Sequence, residues 1–229
     1  MLSTQLFRHE RSCYFSAVRN RPAAGDRGRR SDGDRSRRAI LAAATEVASV
    51  HGLEGLSIGP LADRLHMSKS GLFAHFGSKE DLQLATIATA REIFERDVLA
   101  PARAAPRGVA QLVALCEAFL SYVERRVFPG GCFFAAAAAE FDSRTGPVRD
   151  AVAGFRMGFV DRLAGIVRDA QLRGELHVGL DPMQMAFEID ALLLAANAWF
   201  LISGNPEGLQ RARAGLDALL LFRAAGIDQ

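Results

Sequence analysis

The chain has 229 residues, 49% of them hydrophobic and 24% charged, with a formal net charge of +2. That balance excludes an intrinsically disordered chain and leaves room for one or two packed domains. So small a positive excess means that any nucleic-acid contact must come from a local patch.

Residues 1–34 mix seven arginines with Gly, Ser, Asp and Pro22 and show no periodicity, so they read as an unstructured tail. Three readings stay open for it: a solvated tail, an extension from a misassigned start codon, or a basic arm that follows the DNA backbone. A first helix is expected over residues 35–51, with Ile40, Leu41, Ala44, Val47 and Ala48 inward and Gly52 closing it.

Residues 57–82 read as two short helices and the start of a third. Ser57 stands at an N-cap position, and Ile58, Leu61, Ala62 and Leu65 share an apolar face. His66-Met67 makes a turn. Ser68 caps a second helix, residues 69–76, which buries Leu72 and Phe76 and leaves Lys69, Ser70, Phe73, Ala74 and His75 more exposed. Gly77 ends it, and Ser78 caps the third helix with Glu80 and Asp81 in its first turn. Two short helices joined by a tight turn form a helix-turn-helix, whose second helix fits the major groove. The chain's only two lysines, Lys69 and Lys79, lie here, while the other basic residues are all arginines. Gly71 costs about 1 kcal/mol relative to alanine inside a helix, so close packing on the first helix or close approach to DNA should offset it.

The stretch Ile58…Leu61-Ala62…Leu65-His66-Met67-Ser68-Lys69-Ser70-Gly71-Leu72-Phe73-Ala74-His75-Phe76-Gly77-Ser78-Lys79-Glu80-Asp81-Leu82 resembles the DNA-binding domain of the TetR family of bacterial transcriptional regulators. One position departs: where the family usually has a tyrosine that bonds a phosphate, this chain has Phe73, which offers only apolar contact, for instance to a thymine methyl. The resemblance implies an all-α fold. A helix-turn-helix domain at residues 35–82 would precede a helical ligand-binding and dimerisation domain at residues 83–229, with residues 79–100 as connector. It also implies a sequence-specific regulator, a repressor released from a palindromic operator by a small hydrophobic or aromatic ligand, and no enzymatic activity. The expected DNA contacts are Thr45, Ser57, Ser68, Lys69, Ser70, Gly71, Phe73, His75 and Lys79, with Arg37 and Arg38 as further phosphate contacts.

After the connector, Pro101 and Pro106 mark a break. Helices follow over residues 109–126, 132–141, 147–173, 182–202 and 206–225, separated by Pro129-Gly130-Gly131, Gly146, Gly174 and a turn through Gly179. The helix at 182–202 is apolar almost all round, so a partner subunit should cover its second side; with the last helix it would form a four-helix homodimer interface. No stretch reads as membrane-spanning, since Glu188, Asp190 and Asn197 interrupt the best candidate, and a cytoplasmic location is expected.

The effector pocket is expected within the regulatory helices, lined by Phe119, Phe133, Phe134, Phe155, Phe159, Phe187, Asn197 and Trp199, with Phe128, Met157, Met185 and Phe200 in the same wall. Asn197 needs a partner if buried. Glu140 and Asp142 read as solvated. Cys13, Cys116 and Cys132 lack metal-type spacing, and no cofactor or metal is expected. Cys132 begins a helix, where a thiol pKa can fall, so a thiol sensor is one alternative. Two others are a helical enzyme using Cys132 or Glu140, and a scaffolding dimer that has lost DNA binding. The expected mechanism is a hinge: ligand shifts the long helices, and the connector carries that shift to the recognition helices.

Overall fold

The computed structural model describes residues 24–221, with side chains from residue 32 onward. The expected tail up to residue 23, Cys13 within it, and the end of the last expected helix lie outside the described residues. The chain divides into two compact units, residues 1–36 and 37–229. Helix α1 (Ala24–His51) begins within the first, so residues 24–34 are helical rather than unstructured. Extending an existing helix costs little once its nucleus has formed, which a local composition rule does not capture. Arg35 pairs with Asp32 one turn away at 3.2 Å.

Within the second unit, Ile40, Ala44 and Ala48 turn inward from α1. Helix α2 (Ile58–Arg64) and α3 (Lys69–Phe76) follow, joined by a turn with His66 at φ 53°. Helix α4 (Lys79–Phe94) buries Leu82, Ile87 and Phe94. It does not stop at Pro101. A π-helical turn, Glu95–Leu99, leads into α5 (Ala100–Ala104), with the proline in the first turn of α5. A proline in an α-helix clashes with the carbonyl four residues earlier, here that of Asp97; the wider π-turn contains that residue.

Helices α6 (Val109–Glu124), α7 (Phe133–Phe141), α8 (Pro147–Leu172), α9 (Pro182–Ser203) and α10 (Glu207–Leu221) complete the described bundle. Helix α8 packs on α4, α6, α7 and α9, and α10 packs on α9. Phe94 sits at the centre of the core, with the rings of Phe155 at 5.1 Å, Phe159 at 5.5 Å and Tyr122 at 5.6 Å, each near edge-on. Edge-to-face rings of this kind add about 0.5–1.5 kcal/mol per pair to the apolar burial.

By length and hydropathy alone α9 is long and apolar enough to cross a membrane, a test that a core helix also passes. Its polar residues Asp190 and Asn197 are tied into the bundle. Asp190 pairs with Arg156 of α8 at 2.6 Å, both side chains largely buried, and Asn197 accepts the Cys132 N–H at 2.8 Å. The opposite side of α9 is exposed yet apolar: Met183, Phe187, Trp199 and Ile202 recur along it at roughly helical spacing.

Candidate nucleic-acid interface and regulatory core

Helix α3 is fixed at both ends. The Ser68 hydroxyl accepts the Gly71 N–H at 3.0 Å, and Gly77 closes the helix at φ 77°. Leu72 and Phe76 anchor its inner side. Arg37 adds a clamp from α1: its guanidinium donates to the His75 carbonyl and lies 4.4 Å over the Phe76 ring. Arg37 therefore positions the recognition helix rather than standing free for phosphate. A β-carbon at Gly71 would meet the Ser68 hydroxyl at 2.9 Å, so the glycine makes room for the cap and not for α2.

The outward face carries Lys69, Ser70, Phe73 and Ala74, with Gly71 and His75 partly covered; Phe73 is 47% exposed. Lys69 lies beside Gly59 at the start of α2 and makes no ion pair among the described residues. Two of the expected contacts, Thr45 and Lys79, are placed differently, and the expected Ser57 cap is not made. Thr45 is buried, and its hydroxyl donates to the Ala42 carbonyl at 2.8 Å, because its position on α1 falls beside Ala44 and Ala48 on the inner side. Ser57 has the extended backbone of an N-cap but makes no capping bond, and its hydroxyl is exposed. Lys79 is already engaged: its ammonium donates to the Glu54 carbonyl at 2.8 Å and pairs with the Glu54 carboxylate at 3.1 Å. That bond holds the Glu54 carboxyl below the usual carboxylate range, helped by Gln83 and Arg144.

Of the expected pocket wall, Phe119, Phe133, Phe134, Phe155 and Phe159 do come together, but as a filled core. Phe134 and Phe155 stack at 3.4 Å between ring centres. The Asn197 oxygen accepts the Cys132 N–H, and Asn197 and Trp199 line shallow hollows on α9 apart from the aromatic core. Phe187, Trp199 and Met157 are on the surface at 64%, 46% and 60% exposure. Helical spacing alone cannot distinguish a core face from a face kept for a partner. An open cavity of about 340 Å³ lies instead between α4, the π-turn and α8. Phe155, Phe159 and Leu99 line it together with Arg91, Glu92, Glu95 and Arg162. Those four charged residues were missed. Gly154 and Gly158, one turn apart on α8 with open space above both, were the available signal. Phe155 belongs to the cavity and to the aromatic core at once.

Both described thiols, Cys116 and Cys132, are buried and free. Burial pushes Cys116 up to about 12 and raises Cys132 as well, so the expected helix-terminus effect on Cys132 is outweighed by desolvation. No group of three or more metal-ligating side chains occurs among the described residues.

Residues 40–86 match the sequence family described as bacterial regulatory proteins, tetR family, and residues 108–216 match the tetracyclin repressor-like C-terminal domain. The chain belongs to the TetR family of DNA-binding transcriptional regulators. Among solved structures of that family, a TetR transcriptional regulator from Chloroflexus aurantiacus is 25% identical. It matches over 85% of this chain and 98% of that one, with a TM-score of 0.79. AibR, solved in complex with isovaleryl coenzyme A and operator DNA, is 27% identical over 80% of this chain and 97% of its own, with a TM-score of 0.66. The HTH-type transcriptional activator FasR of Mycolicibacterium smegmatis is 34% identical over 105 residues, 45% of this chain and 48% of FasR. The chain thus spans about half the length of that curated relative. The all-α TetR architecture, a helix-turn-helix followed by a helical C-terminal domain, is as the sequence implied.

Proposed function

We propose that this TetR-family chain is a homodimeric, ligand-controlled regulator that reads a palindromic operator with the outward face of α3. The observation that carries this reading is the capped, clamped helix presenting Lys69, Ser70 and Phe73 with no acidic residue among them. Lys69, Ser57 and the backbone around Ser68 would meet phosphates; Ser70, Gly71, Phe73 and His75 would lie against base edges, Phe73 on a thymine methyl. Residues 35–82 would act as the DNA-binding domain and the following helices as the regulatory domain.

Two recognition helices must sit about 34 Å apart, or a multiple of it, so a second copy is required. The apolar outer face of α9, with α10 beside it, supplies the surface to recruit one. The effector would be a small hydrophobic or aromatic molecule entering the cavity between α4 and α8, where Phe155 and Phe159 offer apolar contact. AibR's complex shows, for that protein, that an acyl thioester and operator DNA are bound by such a fold. Repression relieved by effector is the mode proposed for this cytoplasmic protein; the FasR likeness favours activation as the second reading.

Selection from a randomised DNA library, followed by sedimentation of the complex and a promoter-reporter assay, tests this. A palindromic site bound by two subunits, with reporter output rising when the gene is deleted, is the expected result. Output falling on deletion supports the activator reading, and sequence-blind binding refutes both.

A further inference from the structure

We infer that Glu140, in the last turn of α7, is a positioning residue that sets the pose of the DNA-binding head against the regulatory helices. Its two carboxylate oxygens accept the successive backbone N–H groups of Leu53 (2.7 Å) and Glu54 (2.8 Å) in the turn after α1. Gly52 precedes them at φ 79°, and a β-carbon there would meet the Glu140 carboxylate at 2.7 Å. The turn is therefore a backbone nest shaped for an anion, and the anion comes from a residue far along the chain.

The same turn is gripped from α4. Lys79 donates to the Glu54 carbonyl at 2.8 Å, and Gln83 donates to the Leu53 carbonyl at 2.9 Å. Arg144, just past α7, pairs with the Glu54 carboxylate at 3.1 Å and donates to the Glu140 carbonyl at 3.1 Å. Residues 53 and 54 are thus the meeting point of the connector helix and α7.

At its other end α7 is tied to α9 through Asn197 and Cys132. The adjoining Gly130 donates to the Ser49 hydroxyl at 3.2 Å and lies so close to the Ser49 carbonyl that no β-carbon fits. Between its ends α7 buries Phe133, Phe134 and Phe141, and Phe134 stacks on the cavity residue Phe155. Cavity, Phe155, Phe134, α7, Glu140 and the head form one chain of contacts. α4 is joined to the head covalently, whereas α7 holds it only by polar bonds and packing. Glu140 is the link that carries a shift of the end of α7 to the two amides, alongside the exposed Arg144–Glu54 pair and the Gly130–Ser49 bond at the other end.

This inference rests on the reading of the chain as a binder of two half-sites. It is tested with the full-length chain carrying Glu140→Gln, which keeps the shape of the side chain and loses the charge. Amide exchange at Leu53 and Glu54 should accelerate about tenfold or more without DNA. Wild type should discriminate its selected operator from versions with one base pair added or removed between half-sites by about tenfold. Glu140→Gln should compress that discrimination to within about twofold while selecting the same half-site sequence. A residue that merely stabilised the fold would weaken all spacings alike. Glu140→Asp, which keeps the charge but draws it back by one methylene, serves the same measurements if the glutamine variant does not fold. Unchanged exchange or unchanged spacing preference overturns the inference alone. Failure of the wild type to select paired half-sites overturns the functional reading, and this inference with it.

Discussion

The two lysines of this chain should behave differently towards DNA, although sequence alone treats them alike. Lys69 stands on the outer face of α3 without an ion pair among the described residues, whereas the Lys79 ammonium is held by the carbonyl and carboxylate of Glu54. Each phosphate neutralised contributes about 0.9 to the slope of log affinity against log salt. A dimer offers Lys69 twice, so Lys69→Ala should flatten the slope by about 1.8. Over a fourfold rise in salt, the wild type should lose about twelvefold more affinity than this variant does. Lys79→Ala should leave the slope unchanged. It breaks a half-exposed pair, and surface pairs are worth about 0–1 kcal/mol, so its effect should be a small loss of stability. Fluorescence anisotropy of a labelled operator over a salt series reads both. Equal flattening by the two variants, or flattening by Lys79→Ala alone, would refute this assignment.

Three further outcomes follow from the same geometry. Cys116 and Cys132 should resist a maleimide in the native protein and react only in denaturant, because both thiols are buried and raised, Cys116 to about 12; rapid native labelling at either would contradict this. Arg156→Met should destabilise the fold by roughly 2–4 kcal/mol in urea by leaving Asp190 unpaired, and the double change with Asp190→Leu should recover most of the loss; equal damage in the double variant would sink the reading. Glu54, Glu95 and Glu175 are all held below 4.5 by hydrogen bonds, chiefly from Lys79, Arg103 and the Val109 N–H respectively. Folded values below unfolded ones stabilise above about pH 4.5, and that contribution is lost as pH falls through the folded values. The urea midpoint should therefore drop below pH 4.5, and a flat profile there would contradict it.

What the sequence made legible was local. Ser68 and Gly77 dictate the ends of α3, and its inner residues Leu72 and Phe76 follow from helical spacing. Phe119, Phe133, Phe134, Phe155 and Phe159 were expected together, but as a pocket wall rather than a filled core, and Tyr122 was not expected among them: ring stacking such as Phe134 on Phe155 depends on how helices cross. Phe187 and Trp199 have the composition of a core and the position of a surface, and periodicity on an all-apolar helix carries no phase. Thr45 was displaced by one inward step on α1. Glu140 was read as solvated because its partners lie 87 and 86 residues away, and no local rule connects them. The π-turn before Pro101 was invisible for a related reason: the proline signals a break, whereas the surrounding packing lets the helix absorb it.

The central claim is that the outer face of α3 reads bases, and its most direct test is DNA selection repeated with that face altered. Wild type and a Ser70→Ala/His75→Ala variant would be carried through the same randomised library. The account predicts that the variant keeps a paired site with the same spacing but loses or changes preference at one or two base pairs of each half-site, each worth about 1–3 kcal/mol. An identical selected sequence from both proteins would contradict it, and would place base reading elsewhere on the chain.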